Sequence, residues 1–475
     1  MRKKGVITVF FSLLLICIVS LILVLIESAR MTGARYKMTM AADSAINSLF
    51  GNYDKEFYER YNILALHMNE TEMSEELNKY LEYYSNVDKG LLMAGGDICR
   101  IQNEEIEIIS RTNLTDNGGE LFISSSIDAL GYSIGETIIN EISIQLNEQA
   151  EVFRQSDKMY STVNDRVNNI KENISESDLN KLKDSDELDS NWFDYMSREV
   201  GNFILSNLLP KDKGYSSGKI ETIKLPSNGL VEENNKNYNI LETITFNMYL
   251  QKYFSSYTDR KANFNEKNPL KYEQEYIVSG YKSDKENLDS VAGRIFLIRQ
   301  GANLITINRS NLYTGTAEAL AIVITVLLGL AGMEEVIKEL ILFTWAYIES
   351  ENDMKLLMAG GAVPIIKKES EWQTLGMNLP VWAESTSNEN TNNIVQERSS
   401  IENKKINYEG YLATFIFLQE SEIKCFRAMD IIEENIKQFN SAFKIKQCIY
   451  EIQVNFKFRD YRDRKNTISL TRNYK

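Results

Sequence analysis

One histidine, His67, stands among 475 residues. That scarcity removes most acid–base and zinc designs, which lean on imidazole. The motifs H-E-x-x-H and G-x-x-x-x-G-K-[ST] are both missing from the chain. Four cysteines occur and none sits in a C-x-x-C, so zinc and thioredoxin-like chemistry are unsupported. Cys17 lies in an apolar run. Cys99, Cys425 and Cys448 are an odd number for an exported domain and read as buried free thiols. A basic surplus is lacking too. The net charge of −14 argues against nucleic acid and against lying on anionic lipid. The acids Asp184, Asp186, Glu187, Asp189 and Asp194 lack the spacing of a calcium loop and read as solvated. Gly360-Gly361 before Pro364 is a turn and not a phosphate loop, because no Lys-Ser/Thr follows. No internal repeat is found. These absences predict no catalytic residue, metal, cofactor or small-molecule substrate. A carboxylate pair of the glycosidase kind stays open, since an acidic chain holds many such pairs.

What the chain has is one long apolar run. Arg2, Lys3 and Lys4 precede 21 uncharged residues from Val6 to Ile26, with Phe10 and Leu14 among them. A helix of that length covers roughly 30 Å, the thickness of a bilayer's hydrocarbon core. A cleavable signal has a core of about 7–15 residues and a small-residue exit. This run leaves instead into Glu27-Ser28-Ala29-Arg30, and Ile16 before Cys17 does not suit a lipoprotein signal. An uncleaved anchor in membrane lipid is expected. Arg30, Arg35 and Lys37 nearly balance the cations before the span, but long domains cross largely regardless of charge. The N-terminus is therefore expected in the cytoplasm, with the main domain extracytoplasmic.

Residues 28–50 continue as helix. Ala34, Met38, Ala41, Ala45 and Leu49 recur at steps of three and four and make one face of mostly small side chains. Such a stripe packs on the chain's own globular part, with a second subunit as the alternative. Asp54 to Tyr84 reads as more helix and Ile98 to Ile109 as a strand. Asn117-Gly118-Gly119 reads as a turn, and Glu120 to about Asn173 as one long helix. Residues 210–240 read as loop and short strand. Tyr272 to Gly280 and Lys285 to Asn303 read as helices. Ala319 to Met333 is apolar but short for a span. With Val336 to Ile348 it predicts a buried helical hairpin turning near Gly329 and Gly332. Residues 384–405 are polar, and Tyr408 to Phe439 predicts a long helix. Cys448, Tyr450, Ile452, Val454, Phe456 and Phe458 alternate with mostly polar residues, the pattern of a half-buried antiparallel strand. Thr467 to Arg472 is placed to pair back with it.

The expected fold is α+β and mostly helical. Residues 1–26 form a basic tail and transmembrane anchor, and 27–97 a juxtamembrane helical stalk. An extracytoplasmic α+β domain follows over 98–383, with the hairpin at 317–348. A polar loop covers 384–407. Residues 408–475 add a long helix and C-terminal strands packing on the same domain, in a small antiparallel sheet.

Lys3-Lys4-Gly5 followed by Val6-Ile7-Thr8-Val9-Phe10 resembles the start of type IV pilin-like proteins, closest to the TadE/TadG-like proteins of the tight-adherence pilus. Glu27-Ser28-Ala29-Arg30 is similar to the stretch that closes their span. Further segments resemble one uncharacterised bacterial family linked to that group. They are Leu114-Thr115-Asp116-Asn117-Gly118-Gly119-Glu120, Glu275-Tyr276-Ile277-Val278, Ser283-Asp284-Lys285-Glu286-Asn287-Leu288 and Ala359-Gly360-Gly361-Ala362-Val363-Pro364. The resemblance implies a processing site between Gly5 and Val6. It also implies partners among pilus or secretion components, and no reaction. Phe10 departs from the pattern, because pilins usually carry Glu there to neutralise a neighbour's new amine. The expected function is a membrane-anchored structural or assembly protein. The alternative is a surface binding or sensing module for a peptide, glycan or lipid.

Overall fold

The apolar run and the stretch behind it form a single helix, α1 (Arg2–Phe50). Its character changes along its length. From Val9 to Ile26 the large apolar side chains are bare, Phe10, Leu14 and Ile26 included. Among the described residues, this is one helix long and apolar enough to cross a membrane. Past Arg30 the same helix is buried along one face, where Ala34, Met38, Ala41, Ala45 and Leu49 are all covered. The computed structural model describes residues 2–85, 101–130, 136–173, 238–258, 268–330, 332–372 and 404–474. The acidic stretch 181–194, the segment 210–237, most of the polar loop and Cys99 lie outside them.

Two compact units divide the chain. The first draws on the described residues of Met1–Ser125 and Phe439–Lys475. After α1 come α2 (Lys55–Tyr61), β1 (Leu66–His67), α3 (Glu70–Ser85) and β2 (Ile101–Asn113). The unit closes with β5 (Cys448–Asp460) and β6 (Lys465–Asn473). β5 is the centre of an antiparallel sheet, with β2 along one edge and β6 along the other, and β1 on its first two residues. The ladder pairs Ile106 with Phe456 and Phe456 with Ile468. Ile452, Val454, Phe456 and Phe458 point to one side, against Met38, Ala42, Ile46 and Leu49 of α1 and Met73, Leu77 and Leu81 of α3. The small residues of the α1 stripe are what let the helix lie close to the sheet.

The strand alternation carries a test. Phe456 is fully buried, and truncating a buried Phe costs about 3–5 kcal/mol once the cavity is counted. Lys457 is on the other face, paired with Glu105 at 2.9 Å and Glu107 at 3.1 Å in water. Phe456→Ala should lower the urea midpoint clearly and Lys457→Ala should barely move it. Equal effects would refute the alternation.

The second unit draws on the described residues of Ser126–Leu225 and Asn235–Gln438. Its helices are α5 (Glu136–Asn173), α6 (Ile240–Tyr253), α7 (Glu273–Ser279), α8 (Asp284–Arg309), α9 (Asn311–Leu328), α10 (Glu334–Met358), α11 (Tyr408–Leu418) and α12 (Ser421–Lys437). A two-stranded antiparallel pair, β3 (Ala362–Pro364) with β4 (Lys405–Asn407), completes it. The short α4 (Asp116–Leu130) spans the boundary between the units. α8 is the central helix. Leu288, Val291, Ile295, Phe296 and Ile298 are buried there among Phe153, Tyr272, Tyr347 and Phe415.

The structure departs from the sequence reading at several places. Residues 27–97 are not a stalk in their described part, because α1 and α3 pack on the sheet of the first unit. The C-terminal strands join that unit too, separate from the helices of 408–438, because β5 pairs with β2 across more than 300 residues. Asp54 to Tyr84 is two helices around β1. α2 stops where Asn62 turns left-handed at φ 55°. Over Glu120 to Asn173 the described residues are helical on both sides of 131–135, which lie outside them. Gln419 and Glu420 are extended and split Tyr408–Phe439 in two. Lys405–Asn407, assigned to the polar loop, is β4. The hairpin exists and turns through Gly329 and Gly332, both at positive φ, but it is only half covered. Ala317, Ala321 and Thr325 face protein, while Ile322, Val323 and Val326 on the other side of α9 are exposed.

Candidate functional site

Glu27 is the first charge after the apolar run, and it is held by residues 434 or more positions away only in sequence. The turn between β5 and β6 brings Tyr461, Arg462 and Arg464 to it. The Tyr461 hydroxyl donates to Glu27 Oε2. Arg462 Nη2 lies 3.0 Å from Oε2 and Arg464 Nη2 lies 3.3 Å from Oε1. One turn further along α1, the Arg30 guanidinium sits 5.4 Å over the Tyr461 ring, a cation–π arrangement. Asp460 aligns the turn by accepting from the backbone N–H of Arg462 and Arg464 and from Arg464 Nε at 2.9 Å. So the end of the apolar run is clamped to the sheet by a charged hairpin.

The second unit buries charge deeply. Arg299 on α8 has no exposed surface. Its Nε and Nη2 donate to Asp353 Oδ2 at 2.9 and 2.8 Å. Its Nη1 donates to the carbonyls of Pro364 and Ile365, and Nη2 also reaches Asn303 at 3.4 Å. Lys367 joins the cluster through Asp353 and Glu349. Burial alone would push the Asp353 carboxyl up, but Arg299 and Lys367 outweigh it and hold it below the ordinary value. Two cations meet two carboxylates, and the cluster fastens α8 to α10 and the β3 segment.

A second set surrounds the seven-residue α7. Here acids are held by neutral donors. Glu273 accepts from the Ser255 N–H at 2.9 Å and from Asn435 Nδ2 at 2.7 Å. Burial still raises its pKa. Glu275 Oε1 accepts from the Tyr257 N–H at 2.8 Å and the Tyr408 hydroxyl at 2.9 Å, while Oε2 is buried without a partner. Burial pushes this carboxyl from its ordinary 4.5 up to about 8, so it is protonated at neutral pH. Asp284 accepts from the N–H groups of Lys271 and Tyr272, and Asn287 clamps Tyr281 through both its backbone N–H and carbonyl. On α12, burial pushes Asp430, which accepts from the Tyr276 hydroxyl at 3.0 Å, up to about 7. Burial also lowers Lys424 to about 7, and its Nζ donates to Asn247 Oδ1 at 2.7 Å and to the Ile416 carbonyl at 3.3 Å. That carbonyl, at the break between α11 and α12, also accepts from the Gln419 N–H at 3.4 Å. Glu273 and Glu275 are sealed from solvent, so as they stand they hold loops together.

Glu275 makes a pH prediction. The folded state keeps a proton that the unfolded chain releases near pH 4.5. Its contribution is full below that pH and is lost as pH rises through about 8. Asp430 has the same sign. Lys424, lowered from 10.5, adds its own slope only above about 7. Between pH 5 and 7 the wild-type urea midpoint should therefore fall more than that of Glu275→Gln, whose amide oxygen still accepts both hydrogen bonds. Parallel profiles would remove Glu275 from the account.

Residues 182–460 match the model of a family of unknown function, DUF5702. The chain belongs to that family. No curated protein and no solved structure matches it. The DUF5702 region takes in α6 to α12, both buried clusters and β5, and leaves α1 and β6 outside. Among the described residues no group of three or more His, Cys, Asp or Glu is arranged to hold a metal ion. His67 accepts from the Lys444 N–H at 3.3 Å and lies against the Phe443 ring, which ties β1 to the start of β5. Cys425 and Cys448 are buried and in no disulfide.

Of the residues singled out in the sequence, Gly5 and Val6 lie in the first turns of α1, and Phe10, Leu14 and Ile26 on its bare length. Ser28 and Ala29 are exposed, while Glu27 and Arg30 meet the hairpin. Sequence reading missed Tyr461, Arg462 and Arg464. The available signal was a basic turn, Arg459 to Lys465, between two strands. It also missed Arg299, whose only sign was a charge directly after the apolar run Ile295 to Ile298, and the capping box of Asn239 and Glu242 that starts α6.

Proposed function

We propose that this DUF5702 chain is a single-pass membrane-anchored structural or assembly protein. Its main units are carried outside the cytoplasmic membrane, in association with tight-adherence, pilin-like or secretion components. It has no catalytic role in this reading. The observation that carries the proposal is α1, in which one helix is bare and apolar over its first part and built into the core of the first unit over its second. A bare apolar helix of this length is at home only in lipid. Because the helix does not break between the two parts, a force or displacement in the membrane reaches the sheet directly.

Protease treatment of intact cells tests the topology. A C-terminal tag should be digested, and a protected tag or a chain found in the soluble fraction would sink the reading. N-terminal sequencing from native cells reports on Gly5. With Phe10 where a pilin's Glu stands, a new amine at Val6 would have no acidic partner in the membrane, and such an unpaired charge is costly. The chain is thus proposed as an anchor or minor component. A mature chain starting at Val6 and abundant in sheared filaments would overturn that. The exposed Ile322, Val323 and Val326 of α9 favour a second reading, a surface module that binds a peptide, glycan or lipid. Recovery of the intact protein without any pilus or secretion component would favour it.

A further inference from the structure

The geometry points to the β5–β6 hairpin turn as a binding surface for the headgroups of anionic phospholipid. This inference rests on α1 being a membrane anchor. Ile26 ends the apolar run, so Glu27 lies at the edge of the hydrocarbon, and whatever is fastened to Glu27 lies at headgroup level. Tyr461, Arg462 and Arg464 are fastened to it. The height of the turn is therefore set by the span.

The chemistry of the turn suits phosphate. Arg462 keeps 57% and Arg464 41% of its side chain exposed while paired with Glu27, so both guanidinium groups have open sides. Lys465 is exposed beside them, and Arg30 lies over Tyr461. The facing acids are Glu27, Asp460, Asp463 and Glu104. Asp463 lies 3.2 Å and Glu104 2.5 Å from Arg459, and Asp460 lies 2.9 Å from Arg464. Cations outnumber carboxylates in this collar, and Arg35 and Lys37 follow within about three turns of α1. A guanidinium can meet a phosphate through two parallel N–H bonds, and Tyr is at home at a membrane–water interface. The acidic balance of the whole chain does not oppose this, because charge farther away than about 10 Å is largely screened. The collar thus differs in sign from the chain that carries it.

The test uses the full-length protein in vesicles of phosphatidylcholine and phosphatidylglycerol. Arg2, Lys3 and Lys4 are changed to Gln throughout, so that the far end of the span does not bind the same lipid. Electron spin resonance of spin-labelled phosphatidylglycerol and phosphatidylcholine reads which lipid the protein holds. A preference of about threefold for phosphatidylglycerol is expected. That is less than the roughly fivefold of one unpaired surface arginine, because Glu27 occupies part of each guanidinium. Arg462→Gln with Arg464→Gln should bring it near parity. Arg462→Lys with Arg464→Lys should keep most of it, as should Lys55→Gln with Lys79→Gln, which removes the same charge far from the span. No preference in the starting protein, or an equal loss in the Lys55/Lys79 variant, would overturn the inference. Resistance to alkaline carbonate extraction checks the anchor separately, so parity in protein that stays in the vesicles counts against the hairpin and not against the span.

Discussion

Arg299→Met should cost about 3–5 kcal/mol of stability, read as a lower urea midpoint of the full-length protein in detergent. That is the range for breaking a buried ion pair by removing one partner. The shape of the side chain is roughly kept and the charge is not. Asp353 and Glu349 would then share Lys367 alone, leaving one buried negative charge uncompensated. The carbonyls of Pro364 and Ile365 would lose their donor as well, which adds the penalty of stranded buried acceptors. Arg299→Met combined with Asp353→Leu restores charge balance and should be milder than Arg299→Met alone. A double variant that is worse than the single one would mean the pair is not the source of the loss. Since Asp353 is held below its ordinary 3.8, its contribution is full above that pH and is lost as pH falls through the lower folded value.

Gly301→Ala should be more damaging than its single methyl suggests. α8 lies against α5 at this residue. A Cβ there would stand 2.0 Å from the Ser156 carbonyl oxygen, 2.5 Å from its carbon and 2.9 Å from its Cα. All three atoms belong to helix backbone, which cannot turn aside as a side chain can. The two helices must part, and the apolar contacts around Phe153 and Phe296 must loosen with them. Overpacking of this kind costs about 1–3 kcal/mol or more, and a clash with backbone lies at the upper end. Gly315→Ala is the control. Nothing lies within 4 Å of a Cβ at that exposed position in the middle of α9. There Ala should stabilise by roughly 0.5–1 kcal/mol through helix preference alone. The same substitution in two helices of one unit should thus move the urea midpoint in opposite directions. A shift of the same sign in both would refute the close approach of α8 and α5.

Much of the first unit was legible residue by residue. The stripe Ala34, Met38, Ala41, Ala45 and Leu49 announced which face of α1 would be covered, and the alternation through Phe456 and Phe458 announced the central strand. Gly280, Gly329 and Gly332 marked helix ends that the structure places at positive φ. Other features left no local trace. Gln419 and Glu420 look like helix, yet their backbone is extended and the Ile416 carbonyl just before them takes a hydrogen bond from Lys424. Ile322, Val323 and Val326 look like core, and they are bare because α10 covers only the other side of α9.

By itself the sequence determined one helix long and apolar enough to cross a membrane, the mostly helical α+β class and the faces of individual elements. Length and hydrophobic period act within one helix or strand, so a short stretch of chain contains the whole cause. The tertiary structure alone decided which charges are buried and what holds them. Asp353 meets Arg299 from another helix, Glu275 meets Tyr408, and Glu27 meets a hairpin at the opposite end of the chain. Desolvation and pairing depend on every element that closes around a group, and no window of sequence contains them.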